Sequence, residues 1–156
     1  MTVKYTQNHF EQVKKISWED VIQKLSYEYE YKTNKTVFVN NHISPTFVLR
    51  NNIFPGTIQE IFNNIQSEIG IKDLHIYISF GKNSSTIGRH DDPDDVIIVQ
   101  SIGSVYYSFD DGTSFTLNPG DSLFIPKGIF HTPITLEPRV TLSFSWGNHA
   151  GNVAQN

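Results

Sequence analysis

Three residues have the types and spacing to hold one metal ion: His90 and Asp92 in the run G-R-H-D-D (Gly88 to Asp92), and His131 at the end of G-D-S-L-F-I-P-K-G-I-F-H (Gly120 to His131). At a strand end, H-x-D places an imidazole and a carboxylate on one side of the backbone, because side chains alternate with a period of two. A distant His supplies the third donor on that face, and three coordination positions stay open. The chain contains no Cys, which excludes thiolate ligands, thiol nucleophiles and disulfides together. It also has no Ser-His-Asp order, glycine-rich phosphate loop or nucleic-acid module. His9, His42 and His149 lie in polar, loop-like contexts and read as surface residues. Asp91, Asp94 and Asp95 read as a solvated acidic turn that would attract a basic peptide if it lay at a barrel mouth.

The elements that must position these groups are strands. From Asp73 onward the sequence is a series of short alternating runs (L-H-I-Y-I-S-F, V-I-I-V-Q-S-I, S-V-Y-Y-S-F, S-F-T-L, S-L-F-I and V-T-L-S-F-S-W) separated by turn signals such as D-D-G at Asp110 to Gly112 and N-P-G at Asn118 to Gly120. Evenly spaced short strands of this kind predict an antiparallel sandwich or jelly roll. Upstream, Ser17 and Asp20 form a capping-box pattern that predicts a short helix over residues 18–26. The alternation in Y-E-Y-E-Y-K and the run T-V-F-V-N-N predict an extended segment over residues 27–40, and Pro45 interrupts it. Ile58, Ile61, Phe62, Ile65 and Ile69 have helical spacing, closed by Gly70. The expected fold is mainly β, a double-stranded β-helix with N-terminal helices over one face. As one domain it divides into a helical and extended cover (residues 1–72), a barrel core (73–146) and a tail (147–156).

The last strand separates into two sides. Arg139, Thr141, Ser143 and Ser145 share one; Val140, Leu142, Phe144 and Trp146 share the other. The polar side either faces solvent or, if helices cover the apolar side, lines a ligand cavity. His75, Tyr77 and Ser79 would form a second polar wall. Arg139 likewise has two readings, a strand-end surface charge after Pro138 or a cation inside the cavity. Trp18 and Trp146 read as packing between helices and barrel.

A chain of 156 residues is about one domain. Its formal charge of −4 offers no footprint for phosphate backbones or anionic bilayers, so neither nucleic acid nor membrane is expected as a partner. No apolar run approaches the roughly 20 residues that span a bilayer, and the N-terminus lacks a signal-peptide layout, so a cytoplasmic protein is expected.

Two His and one carboxylate on one face are the donor set of non-haem Fe(II) oxygenases. Gly120, Pro126, Gly128 and His131 resemble the second motif of the cupin superfamily, with Thr135 where that motif has its Asn. The first cupin motif is partly kept as Gly88, His90 and Gly103, with Asp92 in place of its second His. Its Glu ligand would fall at Val96 or Ile97, which cannot bind metal, so the resemblance favours a His-Asp-His triad. Residues 74–146 resemble the small JmjC-type branch of the 2-oxoglutarate oxygenases, the branch with ribosomal-protein and asparaginyl hydroxylases; the shared residues include Gln100 and Gly103.

This resemblance implies that His90, Asp92 and His131 bind Fe(II) and that 2-oxoglutarate chelates the metal. With O2 it would be consumed to succinate and carbon dioxide as a protein side chain or small molecule is hydroxylated. In that branch a Lys or Arg anchors the cosubstrate's far carboxylate at the position that here is Val105. Arg139 and Thr141 instead resemble the R-x-S/T feature of prolyl hydroxylases and related oxygenases, with Tyr77 and Ser79 as further candidates for that pocket. The alternatives are a metal-dependent cupin enzyme that does not use 2-oxoglutarate, and a non-enzymatic ligand-binding cupin.

Overall fold

A computed structural model describes residues 2–31, 36–39, 44–50, 54 and 56–147 of the chain. The central strand is β10 (Arg139–Ser145), hydrogen-bonded along its length to β4 (Asp73–Ser79) on one side and β5 (Val96–Ile102) on the other. With β1 (Lys4–Thr6), β2 (Thr36–Val39), β3 (Thr46–Arg50) and β8 (Ser122–Ile125) these form a seven-stranded antiparallel sheet in the order β1-β8-β5-β10-β4-β3-β2. The opposing sheet has three strands, β6 (Val105–Phe109) between β7 (Ser114–Leu117) and β9 (His131–Thr135). This two-sheet jelly roll agrees with the expected fold class.

Each sheet face packs according to its alternation. Val140, Leu142 and Phe144 point away from the small sheet into a core shared with Ile58, Ile61, Phe62 and Ile65 of α2 (Gly56–Ile69). Phe62 stacks on Phe144 with ring centroids 6.4 Å apart, and Trp146 donates its indole N–H to the Ile69 carbonyl at 3.0 Å. Removing either Phe of that stack would cost about 3–5 kcal/mol, since the cavity could not close around a rigid sheet. Between the sheets lies a second core that includes Val96, Ile98, Val105, Leu117 and Leu123. The polar sides of β4 and β10 face the same interior, so the last strand's polar side lines a cavity and does not face solvent.

Helix α1 (Trp18–Tyr31) begins at the predicted capping box: Asp20 N donates to Ser17 Oγ at 3.2 Å and Ser17 N to Asp20 Oδ2 at 2.8 Å. It continues to Tyr31, which corrects the extended reading of residues 27–31. The period-two alternation there lacks a partner strand among the described residues, whereas each added helical residue gains a hydrogen bond on an existing turn. The strand expected further along is present as β2, while residues 32–35 and 40–43, with His42, lie outside the described residues, as do residues 148–156 with His149. Three strands escaped the sequence reading. β1 is only 3 residues long, β3 follows the Pro45 breaker, and β9 contains Pro133. Because β9 is an edge strand, Pro133 breaks no ladder between two neighbours. No helix among the described residues is long and apolar enough to cross a membrane.

Candidate metal centre and the buried arginine

Two loops meet at the open end of the barrel. His90 and His131 hydrogen-bond to each other's backbones in both directions, His90 N to His131 O at 3.0 Å and His131 N to His90 O at 2.8 Å. The Gly128 N–H donates to the Asp92 carbonyl at 2.9 Å, so the P-K-G turn, with Gly128 at φ +75, ties the loop carrying His131 to the loop carrying Asp92. One donor atom from each of His90, Asp92 and His131 lies within 4.8 Å of the others, and His131 Nε2 is 3.6 Å from Asp92 Oδ2.

Both imidazoles are set for coordination. His90 Nδ1 lies 2.9 Å from the Gly88 carbonyl, and His131 Nδ1 lies 2.9 Å from the Ile129 carbonyl. A carbonyl oxygen only accepts, so each Nδ1 carries the proton and each Nε2 presents a lone pair to the site. Burial pushes the His131 pKa below its ordinary value, and His90 acts in the same direction, which favours the neutral ligand form. The donor set and its geometry therefore fit a divalent metal of the kind bound by two imidazoles and a carboxylate. Arg89 braces this rim, donating to Asp110 at 3.0 and 2.6 Å while stacking 4.0 Å over the Phe130 ring. In the acidic turn Asp91 is exposed, whereas Asp95 caps the Lys127 N–H at 2.9 Å.

Behind the triad a narrow inner chamber, about 20 Å³ in volume, is lined by Tyr77, Tyr107, His131, Pro133 and Arg139. It adjoins an outer chamber of about 250 Å³ lined by Arg50, His75, Asp94, Ser143 and Ser145. Tyr77, Ile87, Asp92 and Ser143 belong to both walls, so the carboxylate of the triad stands where the chambers meet.

Arg139 is 2% exposed, which excludes the reading of it as a surface charge. Its Nε donates to Ser79 Oγ at 3.2 Å and its Nη1 to Thr141 Oγ1 at 3.1 Å; Tyr107 shares its chamber wall, and the guanidinium lies 5.8 Å from the Tyr77 ring centroid. No carboxylate among the described residues pairs with it. Burial works against its charge, and Tyr107 and Tyr77 partly offset that. The same burial pushes the pKa values of both tyrosines upward, so both remain neutral hydrogen-bonding phenols. Thr141 gives its proton to Gln100 Oε1 at 2.7 Å, so toward Arg139 it is an acceptor. Val105 is fully buried in the core between the sheets.

The fold thus brings all seven expected site residues together: His90, Asp92 and His131 at the mouth, and Tyr77, Ser79, Arg139 and Thr141 behind them. The sequence reading missed Tyr107, Thr46 and Arg50. Tyr107 carried a signal, being a polar-tipped aromatic at the inward position between Val105 and Phe109; Thr46 and Arg50 sit on the strand that Pro45 concealed.

No protein-family model matches the chain, and comparison with curated proteins finds no match. Solved structures do match. An X-ray structure of Escherichia coli ycfD superposes with a TM-score of 0.66 at 16% identity over 94% of this chain and 50% of that one. YcfD, a ribosomal oxygenase from Escherichia coli, in complex with cobalt and 2-oxoglutarate, gives 0.65 at 18% identity over 94% and 49%. The same oxygenase with cobalt and succinic acid gives 0.54 at 24% identity over 70% and 34%. The chain spans about half the length of the first of these structures or less of the others, and at such identities the likeness is one of fold.

Proposed function

We propose that the protein is a metal-dependent 2-oxoglutarate oxygenase, with His90, Asp92 and His131 holding Fe(II) and Arg139 holding the far carboxylate of 2-oxoglutarate. The observation that carries this reading is the buried, carboxylate-free guanidinium beside the triad. An isolated buried charge is costly, and an anionic ligand would offset it through a bidentate contact. Bound Fe(II) would supply dioxygen activation coupled to oxidative decarboxylation of 2-oxoglutarate.

The chain's own residues would do the rest. Gly88 and Ile129 carbonyls orient the two imidazoles, Arg139 aligns the dicarboxylate, and Tyr77 and Tyr107 offer neutral hydroxyls beside it. The polar outer chamber receives the substrate, a protein side chain by analogy with a ribosomal oxygenase or a small polar molecule. A second reading has specific support: the inner chamber is narrow, and Arg50 in the wider one could hold an anionic substrate in a metal enzyme that uses no 2-oxoglutarate.

The deciding experiment is anaerobic binding of 2-oxoglutarate to the Mn(II)-loaded protein, followed by succinate release with Fe(II) and O2. Binding and turnover, both lost in His90→Ala and Asp92→Ala, are expected. Metal-loaded protein that fails to bind 2-oxoglutarate would overturn the proposal.

A further inference from the structure

Arg139 is gripped by two hydroxyls whose protons can be located. Thr141 Oγ1 accepts from Arg139 Nη1 and lies 2.7 Å from the Gln100 side chain. The Gln100 amide cannot be reversed, because its other terminal atom lies 2.8 Å from the Ile102 carbonyl and 3.1 Å from the Gly103 carbonyl. Carbonyls only accept, so that atom is Nε2, Oε1 faces Thr141, and the single proton of Thr141 points to Gln100. On the other arm, Ser79 Oγ accepts from Arg139 Nε and lies 2.7 Å from Thr46 Oγ1. Thr46 donates to the Ser85 carbonyl, so the Ser79 proton goes to Thr46. Both hydroxyls thus present lone pairs to the guanidinium and direct their protons away from it. Gln100 is fully buried, leaving no bulk water to replace its amide.

We infer that Gln100 is a positioning residue for the anionic end of the ligand, acting through Thr141 to hold the Arg139 guanidinium at one angle with its remaining N–H groups free for a carboxylate. This rests on the functional reading above. Gln100 does not itself line the inner chamber, so its effect is confined to ligands that use Arg139. With Gln100 shortened to an apolar side chain, the Thr141 proton loses its acceptor, the hydroxyl turns, and the guanidinium loses one of its grips.

The test uses the full chain loaded with Mn(II) and calorimetric titration of two ligands. One is 2-oxoglutarate; the other is 2-oxobutyrate, which has the same metal-chelating keto-acid end but no far carboxylate. Gln100→Leu is expected to raise the Kd for 2-oxoglutarate about tenfold, as for a lost hydrogen bond to a charged group. The Kd for 2-oxobutyrate and the Mn(II) affinity should stay within about twofold. Gln100→Glu keeps an acceptor for Thr141 but adds an anion near Arg139, and should weaken 2-oxoglutarate further. In a Thr141→Val background the Leu substitution should add less than about twofold, since the path through Thr141 is already cut. If Gln100→Leu does not fold, Gln100→Met, which keeps the side-chain length but gives the Thr141 hydroxyl no amide oxygen, tests the same path, again with loss for 2-oxoglutarate only. Equal losses for both ligands, or unchanged 2-oxoglutarate affinity, overturn the inference and leave the functional reading standing. Wild-type protein that binds Mn(II) but not 2-oxoglutarate overturns both.

Discussion

His90 and His131 are paired backbone to backbone, each amide donating to the other's carbonyl, so two of the three donors of the proposed metal centre are fixed by the protein itself. Their Nδ1 atoms are tied to backbone carbonyls as well. Little reorganisation is left for metal binding to pay for, and each donor can be tested separately from the fold.

Metal should therefore bind to an already folded protein and stabilise it by mass action. At about a hundredfold excess over Kd, Mn(II) should add about 2.7 kcal/mol, seen as a rise in Tm of the wild type. In Asp92→Ala, whose side chain is partly exposed, the fold should persist by circular dichroism while the Tm becomes insensitive to Mn(II).

Two arginines line the chambers, Arg139 the inner and Arg50 the outer, and the proposed function makes Arg139 the anchor. Arg139→Lys keeps the charge but loses the planar fork, and should raise the 2-oxoglutarate Kd tenfold or more, equivalent to about 1.4 kcal/mol. Arg50→Ala should change it less than about twofold. The reverse ranking would move the anchor to the outer chamber.

Burial raises the pKa of Tyr77 and Tyr107 above the value of about 10 expected in an unfolded chain. The folded state then keeps protons that the unfolded state releases. Their contribution is present below about pH 10 and is lost as pH rises toward the folded-state values. Tyr77 and Tyr107 should resist ionisation until the protein unfolds, in an alkaline titration that follows tyrosinate absorbance and circular dichroism together.

Gly103 sits at φ +69, and a Cβ there would collide with the Pro138 carbonyl oxygen immediately before Arg139. Its own carbonyl accepts from Gln100. Gly103→Ala should cost more than about 2 kcal/mol in denaturant unfolding, the left-handed penalty being about 1–2 and the collision adding to it. In protein that remains folded, 2-oxoglutarate affinity should fall.

Thr135, 1% exposed on β9, has a side-chain oxygen with no partner among the described residues. A buried hydroxyl without a partner is destabilising, and Val matches Thr in shape, so Thr135→Val should raise stability by about 1 kcal/mol in ligand-free protein. A stability loss would show that the hydroxyl is hydrogen-bonded in solution.

Much of this was written in the sequence. The alternation of Arg139, Thr141, Ser143 and Ser145 against Val140, Leu142 and Phe144 separates cavity from core, because side chains of a strand alternate wherever it is placed. The H-x-D spacing and the P-K-G turn before His131 are local features, and local geometry delivers them. Helix α2 was legible for the same reason, its five apolar residues lying on one face and ending at a glycine.

What only the tertiary structure decided was whatever depends on a partner. The alternation at residues 27–31 suits a strand, yet no strand among the described residues takes it up, and α1 runs on through it. β9 exists despite Pro133 because at that residue it pairs on one side only, with Tyr107 of β6. The pairing of His90 with His131, the burial of Arg139 with no carboxylate partner among the described residues, and the proton directions imposed by Gln100 and Thr46 all arise between residues far apart in the chain. Sequence names the donors and acceptors; the packing of the two sheets decides which of them meet and, since a carbonyl can only accept, which way each proton points.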